Sequence, residues 1–311
     1  MKKISIIGFG RVGSNLFYSL KQSGFQNLFK IDHSHYSNWV NNKLSKCEVI
    51  FICTKDSTIS SVVSELILNK IILNNKTILH TSGSISSDVL LPLKKRGAQI
   101  GSFHPVQSFN RKQKRVSKIN ESFKNIYIVV EGDKKAILVG KKIASSLGSK
   151  TLILSKDEKI VHHICCVIAS NYLITLLSQL EELTNVYNKL ERRKSGKEIF
   201  PDNLKLMALL NEFKNLNLFN IYKPLILSTL IHAEKFGCIK SLTGPIERND
   251  YLTVETHLKT LSKHCPNILP FYIFMGSETI KLTLKKYSKN KIDFSKFTSL
   301  FKKYSKYDIV T

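Results

Sequence analysis

Two patterns of hydrophobic and polar positions divide the chain near residue 154. Before it, short apolar runs alternate with amphipathic stretches of helical period. The predicted strands are Ile4–Ile7, Leu28–Ile31, Val49–Cys53, Thr77–His80, Gln99–Phe103, Ile126–Val130 and Thr151–Leu154. The predicted helices are Val12–Gln22, Ser57–Leu68, Ser86–Lys95 and Lys134–Leu147. Continuous apolar strands separated by helices predict a doubly wound parallel sheet covered on both faces.

After residue 154 only helical periodicity remains. Ser155 followed by Glu158 is a capping-box pattern, and it predicts a long helix over about Lys156–Leu190. Further helices are predicted over Asp202–Phe213, Asn220–Phe236, Asp250–Lys263, Leu269–Lys286 and Ser295–Lys303. The chain is therefore predicted to be an α/β domain, residues 1–154, followed by an all-α domain, residues 155–311. The second would bind substrate and form a dimer.

A glycine motif follows the first predicted strand. Its residues are Gly8, Phe9, Gly10, Arg11, Val12 and Gly13, the G-x-G-x-x-G pattern. It lies between a strand and an amphipathic helix, where glycines permit a tight turn and let the backbone approach a pyrophosphate. The helix N-terminus offers free N–H groups to the phosphates. The context predicts a Rossmann domain that binds NAD or NADP through these six residues.

The choice between the two cofactors stays open in the sequence. Asp32, at the end of the second predicted strand, is placed to accept hydrogen bonds from the adenosine ribose of NAD. Lys30, His33, Ser34 and His35 surround it and could bind the 2′-phosphate of NADP instead.

Polar residues follow three more of the predicted strands. Ligands of open α/β sheets bind at the carboxyl ends of the strands. Thr54, His80 and Ser82 are therefore predicted to bind the cofactor, and His104 to bind substrate. Asp56 fits a helix cap as well as a ligand-binding group.

The predicted helix after Ser155 carries candidates for proton transfer. At 100° per residue, His163 and Ser170 lie within about 20° of each other and Asn171 about 80° from His163, whereas His162 points away from Asn171. We predict that His163 is a proton donor, that Asn171 orients the substrate oxygen and that Ser170 contacts substrate. The alternative is that these are satisfied polar groups at a domain interface.

Arg248 lies in the segment Thr243–Asp250, between two predicted helices. A guanidinium group there could bind a substrate carboxylate in bidentate fashion. The alternative is a helix cap at Asn249 or Asp250 with Arg248 paired to a surface acid.

Composition adds a net charge of +25 over 311 residues, carried mainly by scattered lysines. The basic loop 111–118 and the lysines near the C-terminus fit exposed faces, so nucleic-acid binding is not favoured. The six cysteines show no zinc-ligand spacing, and no metal site is predicted. No signal peptide or membrane span is expected, because no run approaches the roughly 18 apolar residues that a bilayer requires. We therefore expect a cytoplasmic protein.

Four separated segments resemble one family of proteins. They are Leu79–Ser84, Gly101–Gln107, His163–Asn171 and Thr243–Asp250. Together they are similar to the Rossmann-like oxidoreductases with a C-terminal helical domain of unknown function, which are related to pyrroline-5-carboxylate reductase and to the deazaflavin-dependent NADP reductases. The resemblance covers roughly residues 3–264. The sequence departs from the family in its basic loop after Phe109 and in His162, where an aromatic residue is commoner.

The resemblance implies a fold like that of 6-phosphogluconate dehydrogenase, a homodimer and an active site between the domains. Some members are thought to be alternative ketopantoate reductases. The leading hypothesis is an NAD(P)H-dependent reductase of a small carbonyl substrate, such as a 2-keto acid. The other hypotheses are a non-catalytic NAD(P)-binding regulatory or scaffold protein and an imine reductase of the pyrroline-5-carboxylate type.

Overall fold

The computed structural model describes residues 3–31, 43–109, 122–195, 218–287 and 292–305. It divides into two compact units, Met1–Leu173 and Ile174–Thr311. Asp32, the basic loop 111–118 and the predicted helix Asp202–Phe213 lie outside the described residues.

A seven-stranded sheet is the centre of the first unit. Its strands are β1 (Ile4–Ile7), β2 (Leu28–Ile31), β3 (Val49–Ile52), β4 (Thr77–His80), β5 (Gln99–Pro105), β6 (Tyr127–Gly132) and β7 (Lys150–Ile153). Their order in the sheet is β2-β1-β3-β4-β5-β6-β7. All seven predicted strands are present, with ends that shift by one or two residues.

One pair of neighbouring strands departs from the predicted parallel arrangement. β6 runs antiparallel to β5, and β7 then runs parallel to β6. The sequence between these two strands has no helical pattern, and an antiparallel neighbour needs no crossover helix. The sheet is therefore mostly parallel, not wholly so.

Helices cover both faces of the sheet. They are α1 (Arg11–Gln22), α2 (Ile59–Leu68), α3 (Leu91–Lys94), α4 (Lys134–Ser146) and α5 (Lys156–Val167), with short 3-10 turns at Asp56–Thr58 and Ser87–Leu90. Two separate clusters of buried aliphatic and aromatic side chains, one on each face, form the core. This arrangement confirms the doubly wound class.

Helix α5 begins where its cap predicts. The Ser155 hydroxyl accepts the backbone N–H of Glu158, and the Glu158 carboxylate accepts the backbone N–H of Ser155. A π-helical turn, Ile168–Tyr172, separates α5 from helix α6 (Leu173–Ser195). A π turn inserts one residue into the helical repeat, so side chains after it lose the 100° phase that connects them to α5.

The second unit is helical. After α6 it contains α7 (Leu218–Phe236), α8 (Cys238–Ser241), α9 (Tyr251–His264), α10 (Leu269–Lys286) and α11 (Ser295–Ser305). The apolar faces of α9, α10 and α11 share one core, which includes Phe294, Phe297 and Phe301. The aromatic stripe of the C-terminal lysine-rich region therefore packs inward. An all-helical C-terminal region is confirmed.

The predicted domain boundary at residue 154 coincides with the end of the sheet. The division into compact units falls later, between Leu173 and Ile174, so that α5 belongs to the first unit. The functional division of the chain at residue 154 stays a prediction.

One helical stretch, Lys156–Thr184, is long and apolar enough to cross a membrane by length and composition. The mean hydropathy of its most apolar window is 1.8, and none of that window is buried. The sequence analysis expected no span, because no run of uninterrupted apolar residues reaches the roughly 18 that a bilayer requires. A single helix of this kind is weak evidence for a span, since helices that pack in proteins have the same composition.

Candidate functional site

The glycine loop between β1 and α1 has the geometry of a phosphate-binding turn. Gly8 has a φ of +88°, which favours glycine. A Cβ on Gly13 would lie 2.1 Å from the carbonyl oxygen of Gly8, so only glycine lets the helix approach the strand this closely. A Cβ on Gly10 would meet nothing within 4 Å. Gly10 is therefore not required by the packing of the protein itself.

The N-terminus of α1 is electrostatically suited to an anion. Gly10 is its N-cap, no side chain caps it, and its first turn contains no acidic residue. Arg11 is exposed in that turn. Within this turn nothing compensates the positive end of the helix dipole, which favours bound phosphate.

A groove of about 430 Å³ opens beside this loop. It is lined by aromatic and basic side chains, namely Phe9, Phe17, Tyr18, Lys21, Leu28, Phe29, Lys30 and Lys43. The ammonium group of Lys30 lies 5.4 Å from the ring centre of Phe9. The surroundings of the glycine loop are therefore positively charged among the described residues.

The segments that follow β3 and β4 are joined by hydrogen bonds. The hydroxyl of Ser82 donates to Oδ2 of Asp56 at 2.7 Å, and that of Ser84 donates to the same oxygen at 3.0 Å. Ser82 also accepts the backbone N–H groups of Ser84 and Ile85. Asp56 thus fixes the loop after β4. Thr54, beside it, lies close to Gly8, where a Cβ would be 2.9 Å from its methyl group.

Histidines from two elements meet around Gly83 in that loop. A Cβ on Gly83 would lie 2.5 Å from Nδ1 of His163 and 2.7 Å from Nε2 of His104. The ring centres of His104 and His163 are 5.9 Å apart. Both Nδ1 atoms are buried without a hydrogen-bond partner in the described structure. Gly83 is needed because any side chain would occupy the space that the two imidazoles fill.

The ring of His162 also lies against the imidazole of His104, which the prediction from helical phase did not anticipate. Its ring centre is 6.0 Å from that of His104, and its Nε2 is 3.3 Å from Sγ of Cys166. Successive helix positions are about 100° apart, so two neighbours can flank one contact line. His162 was predicted to point away from Asn171 and so away from the site, and its approach to His104 contradicts the second part of this prediction.

Beneath the histidines, buried polar residues form a row across three strands. His80 on β4 is paired with Ser102 on β5, and Ser102 with Glu131 on β6. All three are nearly inaccessible to solvent. Nδ1 of His80 accepts the backbone N–H of Ser82 at 3.2 Å. His80, predicted to contact the cofactor, is fully buried and supports the loop after β4.

The buried imidazoles are held neutral. Burial, assisted by the nearby cation of Lys159, lowers the pKa of His80 to about 3. Burial likewise lowers the pKa of His104 to about 4, assisted by His163, His162 and Lys159. These rings act as hydrogen-bonding groups and not as cations near neutral pH.

The protein is expected to lose stability as the pH falls from 7 to about 4.5. A histidine with a lowered folded-state pKa binds fewer protons when folded than when unfolded, so the free energy of unfolding rises with pH between the two pKa values. Each such group contributes at most about 1.4 kcal/mol per pH unit. Urea unfolding at several pH values measures this slope, and His80→Asn should reduce it.

Carboxylates with lowered pKa values, such as Asp88 and Glu247, lose their stabilising effect only below about pH 4.5. Between pH 7 and about 4.5, the change in the free energy of unfolding therefore comes from the histidines. An identical slope in the wild type and in His80→Asn would show that His80 does not titrate as its burial requires.

The remaining predicted residues fall on two separate units. Ser170 is half-buried and Asn171 exposed, and both lie within the π turn of the first unit. Arg248 is exposed in the second unit, next to Asn249, which has a φ of +58°. Asp250 caps α9 by accepting the N–H of Thr253, so the cap alternative holds for this residue. Asp32 lies outside the described residues.

Hydrogen bonds of Glu247 hold the segment that carries Arg248. Oε1 of Glu247 accepts hydrogen bonds from Nζ of Lys286 at 2.7 Å and from the Tyr287 hydroxyl at 2.6 Å. The neighbouring acid is thus engaged with α10, and Arg248 is directed outward.

Gly83, Lys159 and Glu131 were not singled out from the sequence. Gly83 lies within the segment Leu79–Ser84 that carries the family resemblance, but no feature of the sequence required a glycine there. Glu131 carries a charge within an apolar strand, and this signal could have identified it. Lys159 follows three charged residues at the start of its helix, so its local pattern does not mark it as buried.

Comparison with known proteins agrees with this architecture. Residues 1–105 match the family model of a Rossmann-like domain, and residues 126–279 match that of a domain of unknown function, DUF2520. No curated protein matches the chain.

Solved structures of similar fold extend over nearly the whole chain. A Bacteroides fragilis protein, provisionally assigned as an NADP oxidoreductase, is 20% identical with a TM-score of 0.57, covering 90% of this chain and 98% of its own. A Thermotoga maritima protein is 21% identical with a TM-score of 0.54, covering 92% and 98%. Plasmodium falciparum pyrroline carboxylate reductase with NADP bound is 12% identical with a TM-score of 0.52, covering 92% and 97%.

The chain thus has the fold of NAD(P)-dependent oxidoreductases. It carries a Rossmann-like domain followed by a domain of unknown function, DUF2520.

Proposed function

We propose that the protein is an NAD(P)H-dependent reductase of a small carbonyl compound. The observation that carries this proposal is the pair of His104 and His163 at Gly83, on the sheet edge that also holds the glycine loop. A dinucleotide on the glycine loop would extend along that edge, where open α/β sheets bind ligands. The residues of the loop fit the cofactor, because Gly10 leaves a cradle that a side chain would fill.

A bound reduced nicotinamide supplies the hydride in such a reaction. His163 supplies the proton that the carbonyl oxygen needs as the hydride reaches the carbon. Its Nδ1 is buried against Gly83, so Nε2 is the nitrogen left to meet a substrate. His104, neutral and fixed beside it, orients the imidazole or the substrate oxygen.

For the substrate we propose a 2-keto acid of the ketopantoate type, with Arg248 binding its carboxylate. The hydrogen bonds of Glu247 to Lys286 and Tyr287 hold this segment, and the exposed side chain of Arg248 supports the role. A cyclic imine acid is the second candidate. It is included in the substrate screen because the fold is similar to that of pyrroline carboxylate reductase and to that of the Myxococcus stipitatus imine reductase. The latter is 13% identical with a TM-score of 0.51.

The test is a fluorescence titration with NADH and with NADPH, followed by a screen of 2-keto acids and cyclic imines. Micromolar binding of one dinucleotide and its oxidation with one substrate class support the proposal. We expect tighter binding of NADPH, because Arg11, Lys30 and Lys43 place positive charge beside the glycine loop. Binding without turnover on any carbonyl or imine would favour a regulatory or scaffold protein.

We also propose that two chains associate through their exposed helices. Large apolar side chains are exposed on several faces of α7, at Ile221, Leu225, Leu227, Leu230, Ile231 and Phe236. A helix that is hydrophobic all round requires burial. The apolar stretch that follows Ser155 is anchored at its start by fully buried Lys159, which favours a second copy over a bilayer as its cover.

Light scattering is expected to give twice the mass of one chain. The double substitution Leu225→Glu and Ile231→Glu should abolish this dimer. Lys142→Glu, at an exposed position of α4, should leave it intact. A wild-type monomer, or a wild type that sediments with membranes, would contradict the proposal.

A further inference from the structure

Lys159 is an uncommon residue because its side chain is completely buried. It lies on α5, one turn before His163, on the face that packs against the sheet. Its Nζ donates to the carbonyl oxygen of Ile85 and lies 3.7 Å from Oε2 of Glu131. Buried lysines are rare because an ammonium group loses its hydration, so this one has to be compensated by its partners.

Glu131 links Lys159 to the loop that carries Gly83. One of its oxygens accepts the backbone N–H of Ser87 at 2.9 Å, and the other accepts the Ser87 hydroxyl at 2.6 Å. The carboxylate is only 2% exposed. The pair therefore joins three elements, namely α5, β6 and the segment 82–87 after β4.

We propose that the buried Lys159–Glu131 pair is a positioning device for the histidine cluster, setting the contact of His163 and His104 at Gly83. His163 follows Lys159 by one helical turn, and Gly83 precedes Ile85 by two residues. Fixing Nζ to Ile85 and to Glu131 therefore fixes the distance between the helix and the loop. The inference deepens the proposed function, on which the catalytic part of its test rests.

The charge of Lys159 contributes as well as its contacts. Burial lowers the pKa of Lys159 to about 8, while Glu131 and Asp56 oppose the shift, so the side chain is a cation at neutral pH. The charged and titratable groups that face His104 are His162, His163 and Lys159 on α5, Asp56 after β3, and His80 on β4. Lys159 is a cation near neutral pH, and its charge disfavours protonation of His104.

The test is the substitution Lys159→Gln, which keeps a hydrogen-bond donor and removes the charge. NMR of the histidine rings in the full chain should show the pKa of His104 rising by about 0.5 to 1 unit. The ring signals of His163 should shift as well. Lys156→Met is the matched control, because Lys156 lies on the same helix and makes an exposed ion pair with Asp88. It should change neither signal.

A second variant covers the case in which Lys159→Gln does not fold, since one partner of a buried pair is then left unpaired. Lys159→Gln with Glu131→Gln removes both charges and keeps hydrogen-bonding groups of similar size. The His104 pKa should again rise. With a substrate in hand, kcat should fall at least tenfold in either variant, with little change in dinucleotide affinity.

Unchanged histidine spectra in a folded Lys159 variant would overturn the proposal and leave the pair a purely structural contact. This readout needs no substrate, so it fails independently of the proposed reductase activity. A protein without turnover on any substrate, but with the expected His104 shift, would contradict the proposed function and keep the positioning role.

Discussion

Gly10→Val is expected to abolish dinucleotide binding while leaving the fold intact. A Cβ at Gly10 meets nothing within 4 Å, and this residue has ordinary extended backbone geometry as the N-cap of α1. The added isopropyl group would fill the space in front of the free N–H groups, where a pyrophosphate binds. We expect at least a 100-fold loss in affinity, measured by NADPH fluorescence, with a thermal midpoint close to that of the wild type.

Gly13→Val is the control for this prediction. Its Cβ would overlap the carbonyl oxygen of Gly8 at 2.1 Å, so the damage there should fall on stability. Undiminished NADH and NADPH affinity in Gly10→Val would disprove the assignment of the cofactor site.

His163→Ala is expected to reduce turnover by roughly 100- to 10,000-fold, the usual range for the loss of a general acid. Dinucleotide affinity should barely change, because His163 contacts Gly83 and His104 and not the glycine loop. The measurement is kcat on the substrate that the screen identifies.

Two substitutions on the same helix serve as controls. Cys165→Ala, on the exposed face of α5, should leave kcat unchanged. His162→Ala should lower kcat less than tenfold, because Nε2 of His162 is already in contact with Sγ of Cys166. Equal losses in the two histidine variants would indicate packing damage around His104, and full activity in His163→Ala would remove this residue from the mechanism.

The local structure was predictable because local signals dominate it. The capping box at Ser155 placed the start of α5, and the glycine motif placed the turn into α1. The reversal of β6 was missed because strand direction depends on pairing across the sheet and not on the hydrophobic pattern of the strand.

The site was predicted in its residue types but not in its arrangement. His104 and His163 were chosen for their chemistry, and the structure brings them together. The extrapolation from His163 to Asn171 assumed an unbroken α-helix, whereas the π turn at Ile168–Tyr172 changes the phase between them. The prediction that His162 lies away from the site failed because His104, on strand β5, contacts both His162 and His163. Such information exists only in tertiary contacts.

The reversed direction of β6 also determines which edge of the sheet holds the two ends of the connection between β5 and β6. β5 ends, and β6 begins, at the ligand edge of the sheet, as the hydrogen bond from Val106 N–H to the Tyr127 oxygen shows. Ser122 donates to Asn15, one turn into α1. The connection between them contains the run Arg111-Lys112-Gln113-Lys114-Arg115, so both of its attachment points adjoin the dinucleotide edge. Because this run is strongly basic, we expect the association rate of an anionic dinucleotide to fall as ionic strength rises.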